Sequence, residues 1–339
     1  MSPASPPDRS LAYAIVVAIA FVVLAVAVGT GASRLARPAP TPSPSPRPFV
    51  VPSAAPTLDT APLVFTQTLS AGCAAGSSVY VVSDGGGIGR FVDDRWQLID
   101  ATARSLVAMS CAGDRAIAVG GGGRVVTIDD REETIRSDAI QLDDLLGVAS
   151  LGDGVLAVGR AGTVQRLGGG AWGIYANGID EDLYATAAFG PLSAWAVGAA
   201  GVSYRLEPAG WRPVATGTTA TLRAIAAPAV DDAVVAGDEG TILFWRGGWT
   251  PIAAPRVTYR AAVRVGDQTY VAGDGGVLLR FTTAGPAAPA PVRVALGTSC
   301  TLRGLFARGA DVWVLGSDAG RAEVWRVGPN DTFHWGECP

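Results

Sequence analysis

One phrase, an apolar strand that runs into a glycine-rich turn and out again as a second strand, occurs seven times between residue 69 and residue 339. Its second glycine falls at Gly86, Gly123, Gly162, Gly201, Gly240, Gly276 and Gly320, so successive copies lie 36 to 44 residues apart. A unit of that length cannot bury its own apolar face, and in an all-β chain the usual remedy is to stack such units radially. The pattern therefore predicts a seven-bladed β-propeller of four-stranded blades over residues 62–339. The 44 glycines and the 17% share of charged residues suit short strands joined by tight turns, and helical periodicity is hard to find.

Within each copy an A strand is expected to start at Leu69, Leu106, Leu146, Leu183, Leu222, Tyr259 and Leu302. The B strand is the apolar run entering the glycine turn, and a C strand leaves it. Four D strands open on tryptophan, Trp96, Trp172, Trp211 and Trp249, nine or ten residues beyond the second glycine. That regularity predicts equivalent wedges between blades. Residues 57–66, with Leu63, Val64 and Phe65, are expected to pair with the outer strand of the last copy and close the ring.

Ahead of the repeats, residues 11–32 carry no charge and lie between Arg9 and Arg34. This run is long enough to cross a bilayer, and its Leu, Ile, Phe and Val content is worth on the order of −3 to −6 kcal/mol for insertion. It is read as a single transmembrane helix after a short tail at residues 1–10; a cleaved signal peptide is the alternative. Residues 33–61 form a linker with proline at every second position from Pro38 to Pro48. Such a segment is a semi-rigid polyproline II spacer, roughly 45 Å for about fifteen residues. Four cysteines, Cys73, Cys111, Cys300 and Cys338, have no metal-like spacing and favour disulfides outside the cytoplasm. Cys73 and Cys111 lie four and five residues into neighbouring A strands. Cys300 and Cys338 belong to the opposite face, where each D strand hands over to the next A strand. Face by face, the expected pairs are Cys73 with Cys111 and Cys300 with Cys338.

The phrase AGDEGTILFWRGGW at 236–249, with SDGGGIGRF at 83–91 and VAGDGGVLLRF at 271–281, resembles the repeats of the photosystem II assembly and stability factor family. That family is similar in turn to the Asp-box propellers that include sialidases. The resemblance implies a seven-bladed propeller outside the cytoplasm that binds a partner polypeptide without doing chemistry. No copy carries the full Asp-box pattern, so no photosynthetic role is carried over.

Chemistry-bearing groups are few. All 26 basic residues are arginine, which excludes lysine nucleophiles and the phosphate-loop lysine. His334 is the only histidine and has no recognisable nucleophile beside it. No catalytic residue, metal set or cofactor is read from the chain, and a net charge of −4 gives no reason to expect nucleic acid. Asp84, Asp238, Asp274 and Asp318 recur in the glycine turns and are expected to accept turn N–H groups. The residues following the A-strand starts are Ser70, Val107, Gly147, Tyr184, Arg223, Arg260 and Arg303, which sets arginine at one equivalent site on three adjacent blades. Asp143, Asp144, Asp180, Glu181 and Asp182 precede the A strands of copies three and four. The D–A face is thus expected to be basic over blades 5 to 7 and acidic over blades 3 and 4, a field suited to orienting a peptide or anionic ligand. The functional expectation is a membrane-anchored extracytoplasmic scaffold for a polypeptide in membrane or envelope, with a glycan hydrolase or lyase, or a sensory head, as alternatives.

Overall fold

Alternating apolar residues in short runs force strands with one or two buried faces, and the computed structural model arranges them as seven four-stranded antiparallel sheets. The structure describes residues 67–339 apart from 102–103, 141–142, 152–153, 176–177, 286–288, 330 and 337–339. The membrane span at 11–32, the linker at 33–61, the closing segment 57–66 and Cys338 lie outside the described residues. Among the described residues no helix is long and apolar enough to cross a membrane.

Blades 1 to 7 occupy residues 69–101, 106–139, 145–174, 183–213, 222–251, 259–294 and 301–336, each sheet running A-B-C-D in chain order. The seven A strands pack one against the next around the axis, and the last lies against the first, so the ring is closed. Blade 7 draws its outer strand, Thr332–Gly336, from the chain's own end. The first and last blades are joined by side chains and by two hydrogen bonds in which Leu69 N donates to Ser317 Oγ at 2.9 Å and Arg308 Nη2 to the Ser77 carbonyl at 2.6 Å.

Apolar clusters fill the seams between blades. The D-strand tryptophans occupy the equivalent places expected of them: Trp172, Trp211 and Trp249 each pack into the seam with the preceding blade, and Trp96 into the seam between blades 7 and 1. Blade 2 has Ile135 at this place. The seam between blades 7 and 1 is the most aromatic: Trp313 stacks on Trp335 at 5.5 Å and on Phe306 at 5.8 Å, and meets Phe91 edge-on at 5.4 Å.

Cys73 and Cys111 form a disulfide across blades 1 and 2, with Cα atoms 5.7 Å apart and a separation of 38 in sequence. On the chain-entropy account a loop of that size contributes about 3–4 kcal/mol. Reduction is therefore expected to lower the denaturation midpoint, measured by tryptophan fluorescence with and without dithiothreitol. Cys300 is buried and disulfide-bonded.

Candidate functional site

The feature that shapes the D–A face is a β-bulge repeated in every blade. In the A strands of blades 1 to 6 the first residue pairs with the end of strand B, the second is left out of the ladder, and pairing resumes at the third; in blade 7, whose A strand starts one residue earlier at Thr301, the third residue is the one left out. The extra residues are Ser70, Val107, Leu146, Tyr184, Arg223, Arg260 and Arg303, all half-buried. A bulge bends its strand and re-aims one side chain, so seven equivalent residues are set out around one mouth of the ring. In blade 3 the A strand starts at Leu145, one residue earlier than its sequence suggests, because Leu145 and Leu146 are both apolar; Leu146, not Gly147, is therefore the bulged residue.

The bulge also explains the glycines. It drives the chain ahead of strand A against the end of strand B, where a Cβ on Gly120, Gly159, Gly198, Gly237 or Gly273 would sit 1.9–2.2 Å from the carbonyl oxygen of Ser105, Asp144, Asp182, Thr221 or Thr258. These glycines are extended, with φ between −164° and −176°, so close approach and not backbone freedom requires them. The second glycine of the phrase is the left-handed one, as at Gly201 with φ +73°. Between the two, blades 2 to 6 make a one-turn 3₁₀ segment whose central residue is also left-handed: Gly122, Ala161, Ala200, Glu239 and Gly275. Alanine is strained there. Ala200→Gly is expected to raise stability by about 0.5–1 kcal/mol, read from the denaturation midpoint.

The arginines of blades 5 and 6 are engaged within their own blades. Arg223 grips Asp238 with two hydrogen bonds of 2.6 and 2.8 Å, and Arg260 grips Asp274 with bonds of 2.7 and 3.3 Å. Asp238 and Asp274 are thus partners of the bulge arginines and not the turn N–H acceptors expected from sequence; the arginine holds the Asp238 carboxyl below its usual range. Arg223 also lies over the Tyr184 ring at 5.4 Å, linking two neighbouring bulge residues.

The acidic residues of blades 3 and 4 are largely engaged as well. Asp144 accepts from Gly122 N at 2.8 Å and Asp182 from Ala161 N at 2.9 Å, each capping the turn of the preceding blade, and Arg160 bridges the two at 3.1 and 3.0 Å. The Gly122 N–H and then Arg160 keep Asp144 acidic. Glu181 accepts the Tyr204 hydroxyl at 3.0 Å; burial and then this carboxylate push the phenol up to about 12. Both line an open groove of about 880 Å³ with Gly201, Pro213, Thr216 and Thr219. Asp143 and Asp180 are exposed.

Sequence reasoning missed a polar cluster on the opposite face. Asp130, just after strand C of blade 2, accepts the Tyr80 hydroxyl at 2.6 Å, Arg90 Nη2 at 3.0 Å and the Ser77 N–H at 3.0 Å, all from blade 1. Its signal was an isolated Tyr and Arg on two strands of blade 1 and an Asp in a turn of blade 2, which no spacing connects. His334 is exposed on the outer strand of blade 7. Among the described residues no group of three or more His, Cys, Asp or Glu is placed to hold a metal ion.

No family model matches the sequence, and no curated protein matches it. The solved structures similar to it include the WD40 repeats of RRP9, at a TM-score of 0.62 and 9% identity over 76% of this chain and 90% of that one. U3-55K gives a TM-score of 0.62 at 9% identity over 76% and 91%. The WD40 propeller domain of Doa1 gives 0.65 at 10% over 76% and 92%. At such identities the likeness is one of fold alone, and with the seven four-stranded sheets it identifies the chain as carrying a seven-bladed β-propeller.

Proposed function

We propose that this protein is a polypeptide-binding scaffold, anchored in a membrane by residues 11–32 and presenting its propeller outside the cytoplasm on the proline-rich linker. The observation that carries the reading is the rim of seven bulged side chains. One repeated backbone device sets out seven side chains of five kinds, from Ser70 through Leu146 and Tyr184 to three arginines, on a face that also carries a groove open enough for an extended chain. WD40-like architecture supports it, as does the resemblance of the repeats to assembly-factor propellers. The uncharged span, the proline spacing and the even cysteine count support the anchor and its side of the membrane.

A sialidase-like glycan hydrolase would need arginines free to hold an acidic sugar and carboxylates free to move protons. Arg223 and Arg260 are already occupied by Asp238 and Asp274, which favours the scaffold. Crosslinking the full-length protein in its native membrane, followed by affinity capture and mass spectrometry, tests the proposal. One stoichiometric membrane or envelope polypeptide is expected. Capture of no protein, with a glycan or small molecule retained by the purified protein, would transfer the assignment to the enzyme or ligand-trap class.

A further inference from the structure

Arg303 is the bulge residue of blade 7, equivalent to Arg223 and Arg260, but it lacks the carboxylate that each of those holds. The place of Asp238 and Asp274 is taken in blade 7 by Ser317. There the 3₁₀ turn is replaced by a tight hairpin in which Asp318 pairs with Arg321, and Ser317 is drawn into the ladder opposite Thr301. Ser317 is buried, and its hydroxyl accepts the Leu69 N–H that closes the ring. Arg303 is left with a buried Nε that has no hydrogen-bond partner, and it makes no ion pair among the described residues.

Its surroundings make this a poor place for an uncompensated cation. Burial, and then the charge of Arg260, lower its proton affinity, and the carboxylates of Asp274, Asp84 and Asp318 do not reverse that. Asp274 is tied to Arg260, while Asp84 and Asp318 are exposed and screened by water. On the far side of Arg303 the next bulge residue is Ser70, the smallest of the seven.

We propose that Arg303 is an anion-recognition residue of the D–A mouth, and that it takes a carboxylate of a bound acidic polypeptide through its terminal guanidinium nitrogens, as its equivalents Arg223 and Arg260 take Asp238 and Asp274 through Nε and Nη2. A guanidinium already stripped of part of its water loses little more on pairing, and its planar fork matches a carboxylate in two-point contact. The chain as a whole is acidic, with a net charge of −4, so attraction of an acidic peptide has to come from such a local site. This inference rests on the scaffold reading and assigns it a ligand chemistry.

The test uses full-length protein in detergent micelles and a fluorescein-labelled deca-glutamate peptide, with binding read by fluorescence anisotropy. Arg303→Ala is expected to weaken binding roughly tenfold or more, and Arg303→Lys to recover only part of it. Arg212→Ala removes the same charge from an outer strand, where Arg212 is largely exposed, and is expected to bind as wild type. Circular dichroism confirms that the variants fold; Arg303→Gln, which keeps most of the side-chain volume, stands in if the alanine variant does not. Equal affinity of the position-303 variants and wild type, or no binding by wild type, overturns the proposal. If the membrane crosslinking experiment still captures one polypeptide in that case, the scaffold reading survives and the carboxylate assignment alone falls.

Discussion

Asp130→Ala is expected to destabilise the propeller by about 3–5 kcal/mol, the loss typical when one member of a buried ion pair is removed and its partner is left uncompensated. The side chain of Asp130 is 6% exposed and that of Arg90 is 16% exposed, so water cannot replace the missing carboxylate. The Tyr80 hydroxyl and the Ser77 N–H lose their acceptor at the same time. Urea denaturation of the full-length protein followed by tryptophan fluorescence measures the effect, and a midpoint equal to wild type would show that the cluster does not bind blades 1 and 2. The contribution also carries a pH signature. Burial works against the Asp130 charge, but hydrogen bonds from Ser78, Tyr80 and the Ser77 N–H, with Arg90, hold its pKa below the ordinary carboxylate range. A folded pKa below the unfolded one means that the stabilisation is complete above about pH 4 and fades as pH falls through the folded value. The gap between wild type and Asp130→Ala should therefore narrow in acid.

Trp313→Ala should be at least as damaging, at about 3–5 kcal/mol, because it empties the seam where the ring closes. Trp313 is 1% exposed and touches Phe306 from its own blade, Phe91 from blade 1 and Trp335 from the outer strand, so its removal loosens three layers together. Trp313→Phe separates packing from polarity. The indole N–H of Trp313 is buried with no acceptor, so its loss is free of hydrogen-bond cost, and phenylalanine should retain well over half of the stability lost to alanine. Equal losses from the two substitutions would refute this account of the seam.

Much of the architecture was legible because it rests on repetition. Seven glycine turns at near-constant spacing set the blade count, and tryptophans at a fixed offset marked the seams. The pairing of Cys73 with Cys111 followed from their place near the same face in adjacent A strands. The reading slipped where chemistry is degenerate: Leu145 and Leu146 are equally apolar, and only pairing with Gly159 decides which one starts the strand. The arginines were placed at one site in advance, but their engagement was not visible. Whether Asp238 caps a turn or holds Arg223 depends on a bulge, and a bulge leaves no mark in hydrophobic periodicity. The Tyr80–Asp130–Arg90 cluster was invisible for a related reason, since it joins residues about forty to fifty apart on two blades.

The bulges carry a consequence for how such a molecule changes over time. A residue expelled from the ladder makes no cross-strand pair, so exchanging its side chain leaves strand register undisturbed. Stability is held by the glycines beneath and the aromatic wedges outside, whereas the character of the rim is held by Ser70, Val107, Leu146, Tyr184, Arg223, Arg260 and Arg303. Strand register and recognition are thus written on separate residues, and a lineage or an engineer can rewrite the rim without renegotiating the ladder, provided that Arg223 and Arg260 are changed together with their partners Asp238 and Asp274.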